Sequence, residues 1–277
     1  MGKPGPMNRE SPLRHFGVLE WLGILAILSG AVGPVSLLGL WSFTHAWFWP
    51  DLLPREWSLR AWSYLFSPDA GVGEALATSL FIALLVALLA LFIAWPAARV
   101  VAGAWFRGKR ALLFLLLLPI IAPPLASTMG MHALFLRFGL ADTLVGVVLA
   151  HLVPSVPYAT MVLTGSFSRF EIGFEEQART LGASRLQVWR HVTVPAMRPG
   201  MAVAAAFAFL ISWSQYLTTL IIGGGRVQTL PLTLVAFQRS GDEAVAAALS
   251  LIFLAPAVII LLVVGRLMIT VNRKDDQ

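Results

Sequence analysis

Six stretches of this chain run for roughly 20 to 30 residues, the length a helix needs to cross a bilayer, with almost no charge. They are about Gly17–Phe43, Glu74–Ala104, Ala111–Leu136, Thr143–Ser166, Met201–Ile222 and Ala244–Val271. Lipid offers the backbone no hydrogen-bonding partner, so an apolar run of this length closes its own ladder as a helix. The fold expected is therefore all-α, a polytopic membrane bundle of about six transmembrane helices. Composition agrees. Only 12% of residues are charged and 58% are hydrophobic, with a mean hydropathy of +0.79, against about 25% charged in soluble domains. Prolines interrupt several runs, at Pro34, Pro96, Pro119, Pro123, Pro124, Pro154 and Pro157. Neighbouring helices can satisfy the backbone groups that proline frees.

The first run follows Lys3, Arg9 and Arg14, as a signal peptide would. It is too long for a signal core, and no clear small-x-small site closes it, so an uncleaved helix is expected. With the N-terminus inside, the cytoplasmic segments carry 15 of the 20 Lys and Arg residues and the outer segments 5. That asymmetry follows the positive-inside rule and places both termini in the cytoplasm. It also accounts for the net charge of +6 without nucleic acid as a partner. Trp41, Trp47, Trp49, Trp57 and Trp62 crowd the first outer segment, as at a membrane interface. In that segment Ser67-Pro68-Asp69 reads as a turn.

Residues 1–277 read as a single transmembrane domain, with one long polar segment between helices, residues 167–200, on the cytoplasmic side. Its first half reads as a short helix, about Glu171–Leu181, with Phe174, Ala178 and Leu181 on one face and Glu175, Glu176 and Arg179 mostly elsewhere. Gly182 is placed to end it in a left-handed conformation. Ser184-Arg185-Leu186-Gln187 is a capping box, opening a second helix over about Arg185–Thr193. Pro195 and Pro199 punctuate its end before the next membrane helix. On pattern alone this could be an amphipathic connector lying on lipid headgroups.

The residues Glu175-Glu176-Gln177-Ala178-Arg179-Thr180-Leu181-Gly182-Ala183-Ser184, followed by Val192-Thr193-Val194-Pro195, resemble the EAA loop of ABC importer permeases. The family pattern is Glu-Ala-Ala, three residues, Gly, nine residues, then Ile-x-Leu-Pro. Glu176 and Ala178 fit its first element, Gly182 its glycine and Pro195 its proline. Gln177 departs from the pattern, while Val192 and Val194 keep the apolar character. The wider resemblance, to binding-protein-dependent permeases of the type I importer fold, covers about residues 71–268. It implies half of a solute pore in the bacterial inner membrane. It also implies a second permease subunit, identical or related, two copies of a separate ABC ATPase, and an extracytoplasmic solute-binding protein, with membrane lipid around the bundle. The loop would dock on the ATPase, Glu176 offering a carboxylate, Gly182 permitting the corner and Pro195 fixing the join to the fifth helix. The stretch from Gly223 to Pro231 resembles the branch that handles polyamines, thiamine and ferric iron, although sugar permeases share much of it.

Other patterns point away from chemistry on this chain. Gly103 to Arg110 has the spacing of a phosphate-binding loop, but Arg110 stands where a hydroxyl should hold Mg²⁺. No cofactor and no enzymatic activity are expected. With no Cys and five scattered His, no metal site is expected either. The fifth run carries Ser214, Gln215 and Tyr216 amid other polar residues, the candidates for a substrate path. No Asp or Glu sits at mid-bilayer, where a proton-driven carrier would often place one. The alternative reading is a secondary transporter or channel with a lipid-binding inner loop.

Overall fold

A computed structural model describes residues 18–275, apart from positions 46, 48, 49 and 52. The described residues form helices and turns, with one isolated bridge between Thr44 and Trp57. The long helices are α1 (Val18–Ser42), α3 (Val72–Gly103), α6 (Leu144–Arg169), α9 (Val194–Trp213) and α12 (Glu243–Asp275). Shorter ones are α2 (Arg60–Leu65), α4 (Lys109–Ile121), α5 (Pro124–Arg137), α7 (Gly173–Thr180), α8 (Arg185–Val188), α10 (Leu217–Gly223) and α11 (Leu230–Ser240). The turn expected at Ser67-Pro68-Asp69 is present, as a 3-10 turn over Pro68–Ala70.

Two expected spans are not single helices. The third breaks at Ala122–Pro123 into α4 and α5, bent by 100°. Pro123 and Pro124 lack N–H groups, and a residue before proline is pushed into extended backbone; Ala122 has ψ 139. The chain leaves the inner end of α3 and re-enters at the outer end of α6, so the bent pair completes one crossing. The fifth span breaks at Ser214–Tyr216, between α9 and α10.

The expected halt at Pro195 is also corrected. A continuous helical path runs from Arg185 to Trp213, 29 residues, through a π-helical turn over Trp189–Thr193. Pro195 follows directly on that turn, at the start of α9, where the wider ladder absorbs its missing N–H.

Helix α3 is the hub, packed along most of its length on α6 and α9. Its buried side is a stripe of Ala83, Ala87, Ala90, Ala94 and Ala98. Small residues let helix backbones approach closely in lipid. Gly200 of α9 shows how closely: a Cβ there would overlap the Ser166 side chain of α6. At the outer face Arg60 makes a two-pronged ion pair with Asp242 at 2.8 and 2.9 Å. It ties α2 to the start of α12, and the guanidinium holds the Asp242 carboxyl below its ordinary range. Helix α1 leans on α12 and turns most of its apolar surface outward, as a lipid-facing helix does.

Candidate functional site: the cytoplasmic loop and the membrane cleft

The cytoplasmic loop folds as two short helices around a tight corner. Gly182 has φ +87. Around it the Ala183 N–H donates to the Ala178 carbonyl at 3.0 Å and the Gly182 N–H to the Arg179 carbonyl at 2.9 Å. That pair of bonds is a Schellman motif, which needs a left-handed residue where Gly182 stands. Ala178 thus contributes its carbonyl to the corner. The capping box is formed: Gln187 Oε1 accepts from the Ser184 N–H at 2.7 Å and Ser184 Oγ from the Gln187 N–H at 3.4 Å.

The structure fixes which side of α7 faces inward. Phe174 and Leu181 are exposed, Leu181 by 88%, as are Ile172, Leu186 and Trp189. The inward residue is Glu175, 4% exposed. Its carboxylate accepts from Thr193 Oγ1 at 2.6 Å and pairs with Arg99 Nη2 at 2.6 Å. Burial pushes this carboxyl up, but the Thr193 hydroxyl, Arg99 and Arg179 outweigh it and hold it below the ordinary range. An eight-residue helix has too few turns for its apolar pattern to say which side is covered by its own chain. Here the apolar side is left open and the buried side is polar.

Glu176 lies on the exposed surface with Gln177, while Ala178 is half-buried and Gly182 exposed. Pro195 is half-buried beyond the π-helical turn. The loop therefore brings Glu176, Ala178 and Gly182 together, with Pro195 at its exit.

Ser214, Gln215 and Tyr216 occupy the break in the fifth span. Gln215 Oε1 accepts from Thr218 Oγ1 at 2.7 Å, and the Gln215 carbonyl accepts from Thr219 Oγ1 at 2.6 Å. His151 of α6 spans the break, its Nδ1 2.9 Å from Ser212 Oγ and its Nε2 3.0 Å from Thr219 Oγ1. Sequence reading treated that histidine as isolated, since nothing in the spacing links residues 151, 212 and 219. The two broken spans meet at a cleft of about 500 Å³. Ser127, Thr128, Tyr158, Ser214, Gln215 and Thr218 are among its lining, which carries no charged side chain. Tyr216 is not part of that lining.

The segment Gly103–Arg110 is a helix-to-helix turn. Lys109 Nζ donates to the Ala104 carbonyl at 3.2 Å and lies 5.4 Å from the Trp105 ring centre. Among the described residues no group of three His, Asp or Glu side chains could hold a metal ion.

Residues 96–274 match the family described as binding-protein-dependent transport system inner membrane component. The chain belongs to this family. The permease is 32% identical over 221 residues to the molybdenum transport system permease protein ModB of Mycobacterium tuberculosis, covering 74% of this chain and 83% of that protein. It is 26% identical over 216 residues to the spermidine/putrescine transport system permease protein PotC of Haemophilus influenzae, covering 76% and 84%. Its fold is similar to a chain of a bacterial ABC transporter involved in the import of alginate. The TM-score is 0.66 at 18% identity, over 95% of this chain and 99% of that one. A second such chain, from the alginate transporter in complex with its periplasmic protein, gives a TM-score of 0.63 at 13% identity, over 90% and 94%. The permease is an ABC importer component and a multi-pass protein of the bacterial inner membrane.

Proposed function

We propose that this permease forms half of the pore of an ATP-driven importer and receives the ATPase on the loop over residues 167–200. The carrying observation is the loop's exposed apolar side. Two capped short helices expose Ile172, Phe174, Leu181, Leu186 and Trp189 beside Glu176, while a half-buried ion pair from Glu175 to Arg99 holds their other side. Water penalises such an apolar surface unless a partner covers it. A partner ATPase, two copies per complex, would cover it, with Glu176 meeting a basic residue, Gly182 keeping the corner and the Ala178 carbonyl closing it. Pro195 would fix the exit into α9. The single domain, with its core over about residues 71–268, would pair with a second permease subunit, surrounded by lipid and served from outside by a solute-binding protein.

The substrate reading is a small solute of the class that includes polyamines, thiamine and ferric iron. Ser214 and Gln215 would line its path, with Tyr216 supporting the break. The uncharged cleft supports passage of a small hydrogen-bonding solute and leaves selectivity to the receptor.

The test uses the full transporter in membranes. Glu176→Lys should insert normally, lose co-purification with the ATPase and lose uptake. Full ATPase association and full uptake in that variant would end this reading, because a lipid-facing connector tolerates an added Lys.

A further inference from the structure

Three acidic residues lie in the first half of the loop, Glu171, Glu175 and Glu176, and Glu175 alone is buried. Its two oxygens go to different elements. One accepts from Thr193, itself 1% exposed in the π-helical turn. The other pairs with Arg99 at the inner end of α3. Arg179, next in line on α7, adds positive charge to the same carboxylate. The loop is thus joined to the membrane domain three times: through its own chain into α6 and into α9, and through one side chain into α3.

The far end of α3 makes a matching attachment. Ser79 Oγ, in the outer half of the same helix, accepts from the Leu230 N–H at 2.7 Å in a buried contact. Leu230 opens α11 after the outer loop of residues 224–229. Beside it Thr229 is 3% exposed, and its hydroxyl has no partner. Residues 79 and 99 are about 30 Å apart along a helix at 1.5 Å per residue. The helix is unbroken from Val72 to Gly103 despite Pro96. Next to that proline the Trp95 ring packs edge-on against Phe167 of α6, centres 5.1 Å apart.

We infer that Glu175 is a positioning residue that couples the loop to α3, so that displacement of the loop reaches the outer mouth through Arg99, α3 and the Ser79–Leu230 contact. This rests on the reading of the loop as the ATPase-receiving element. The physical requirement is a stiff connection. An ion pair shielded on one side, with a second short hydrogen bond on the same carboxylate, resists displacement better than an exposed pair that water replaces. The π-helical turn at Trp189–Thr193 is the place where the covalent route into α9 can yield, since such turns interrupt the regular ladder. The side-chain route bypasses it.

Glu175 faces away from the exposed docking surface, so its loss should separate docking from coupling. The experiment compares the wild-type transporter with Glu175→Gln, Arg99→Met, Arg99→Lys and the exchange Glu175→Arg/Arg99→Glu, all co-purified with the ATPase. A reporter Thr229→Cys, on a chain that has no native cysteine, is labelled from outside by an impermeant maleimide with and without trapped ATP. Glu175→Gln and Arg99→Met should keep ATPase binding, yet lose about tenfold in solute moved per ATP hydrolysed, a coupling within the usual range for linked sites. Their Thr229→Cys labelling should stop responding to ATP. Arg99→Lys and the exchange should recover both readouts in part. Normal ATPase binding with wild-type solute-to-ATP ratios and wild-type labelling changes in Glu175→Gln would overturn the inference alone. Failure of the wild-type chain to bind the ATPase would overturn the docking reading and this inference with it.

Discussion

Gly182 offers a substitution whose cost can be worked from local geometry. Its φ of +87 lies in the left-handed region, and a Cβ built there meets no atom within 4 Å. Packing therefore contributes nothing, and the whole cost of Gly182→Ala is the backbone penalty of about 1–2 kcal/mol. The corner is exposed on both flanks, at Leu181 and Ser184. It is held chiefly by the two Schellman bonds and the capping box, so little else resists its opening. If docking requires the closed corner, apparent ATPase affinity scales with the closed fraction. A penalty near 1.4 kcal/mol then lowers affinity by up to about tenfold. Asn, which tolerates this region better, should lose less than Ala, and β-branched Val should lose most. The assay is a titration of ATPase onto the permease in nanodiscs, with amide exchange over residues 173–188 as a local readout. Membrane insertion should be unchanged throughout. Equal affinity and equal exchange protection for Gly, Asn, Ala and Val at this position would refute the argument, since no side-chain clash exists to confuse the ranking.

Two further outcomes are expected. Gln215→Ala should alter the concentration dependence of uptake while leaving ATPase association intact, because the amide lies at the cleft and bonds Thr218; unchanged uptake at every substrate concentration would place it as helix-to-helix glue instead. The Glu175 carboxyl is held below its ordinary range, so its contribution is present above the ordinary carboxylate pKa of about 4.3 and is lost as pH falls through the lowered folded value. Spin labels at Arg107→Cys and Gln177→Cys should accordingly report one unchanged distance from pH 8 to pH 5 and a release only under stronger acid; a release centred near pH 6 would contradict the assignment.

Hydropathy made the membrane bundle legible because lipid imposes one rule on every span. The extents of α3, α6 and α12 follow their apolar runs within a few residues. The breaks were less legible. Proline was visible at positions 123 and 124, yet Pro96 leaves α3 continuous and Pro123 bends its span by 100°. What separates them is the company: two consecutive prolines remove two donors, whereas one is absorbed. The break at Ser214–Tyr216 has no proline, only polar side chains that compete for the backbone, as Thr219 does at the Gln215 carbonyl. In the loop, Gly182 and the Ser184–Gln187 cap were readable because each is a local rule. Glu175 was not. Its burial depends on Arg99 and Thr193, 76 and 18 residues away, and on an apolar face left exposed.

The bent third span has a consequence for how the chain enters the bilayer. Helices α4 and α5 contain 13 and 14 residues, so each reaches only about 20 Å of a hydrocarbon layer about 30 Å thick. Neither half is a stable membrane traveller by itself. At the joint between them, backbone groups lose their helical partners, and lipid alone would charge several kcal/mol for each. In a nascent chain that reaches only to Arg137 the two prolines already break the ladder, and nothing yet covers the groups they free. The cost of the bend falls once α6 and α10 arrive to flank it, both of which pack on this pair. The cleft is in that sense a late product of assembly, made by neighbours that follow in the sequence.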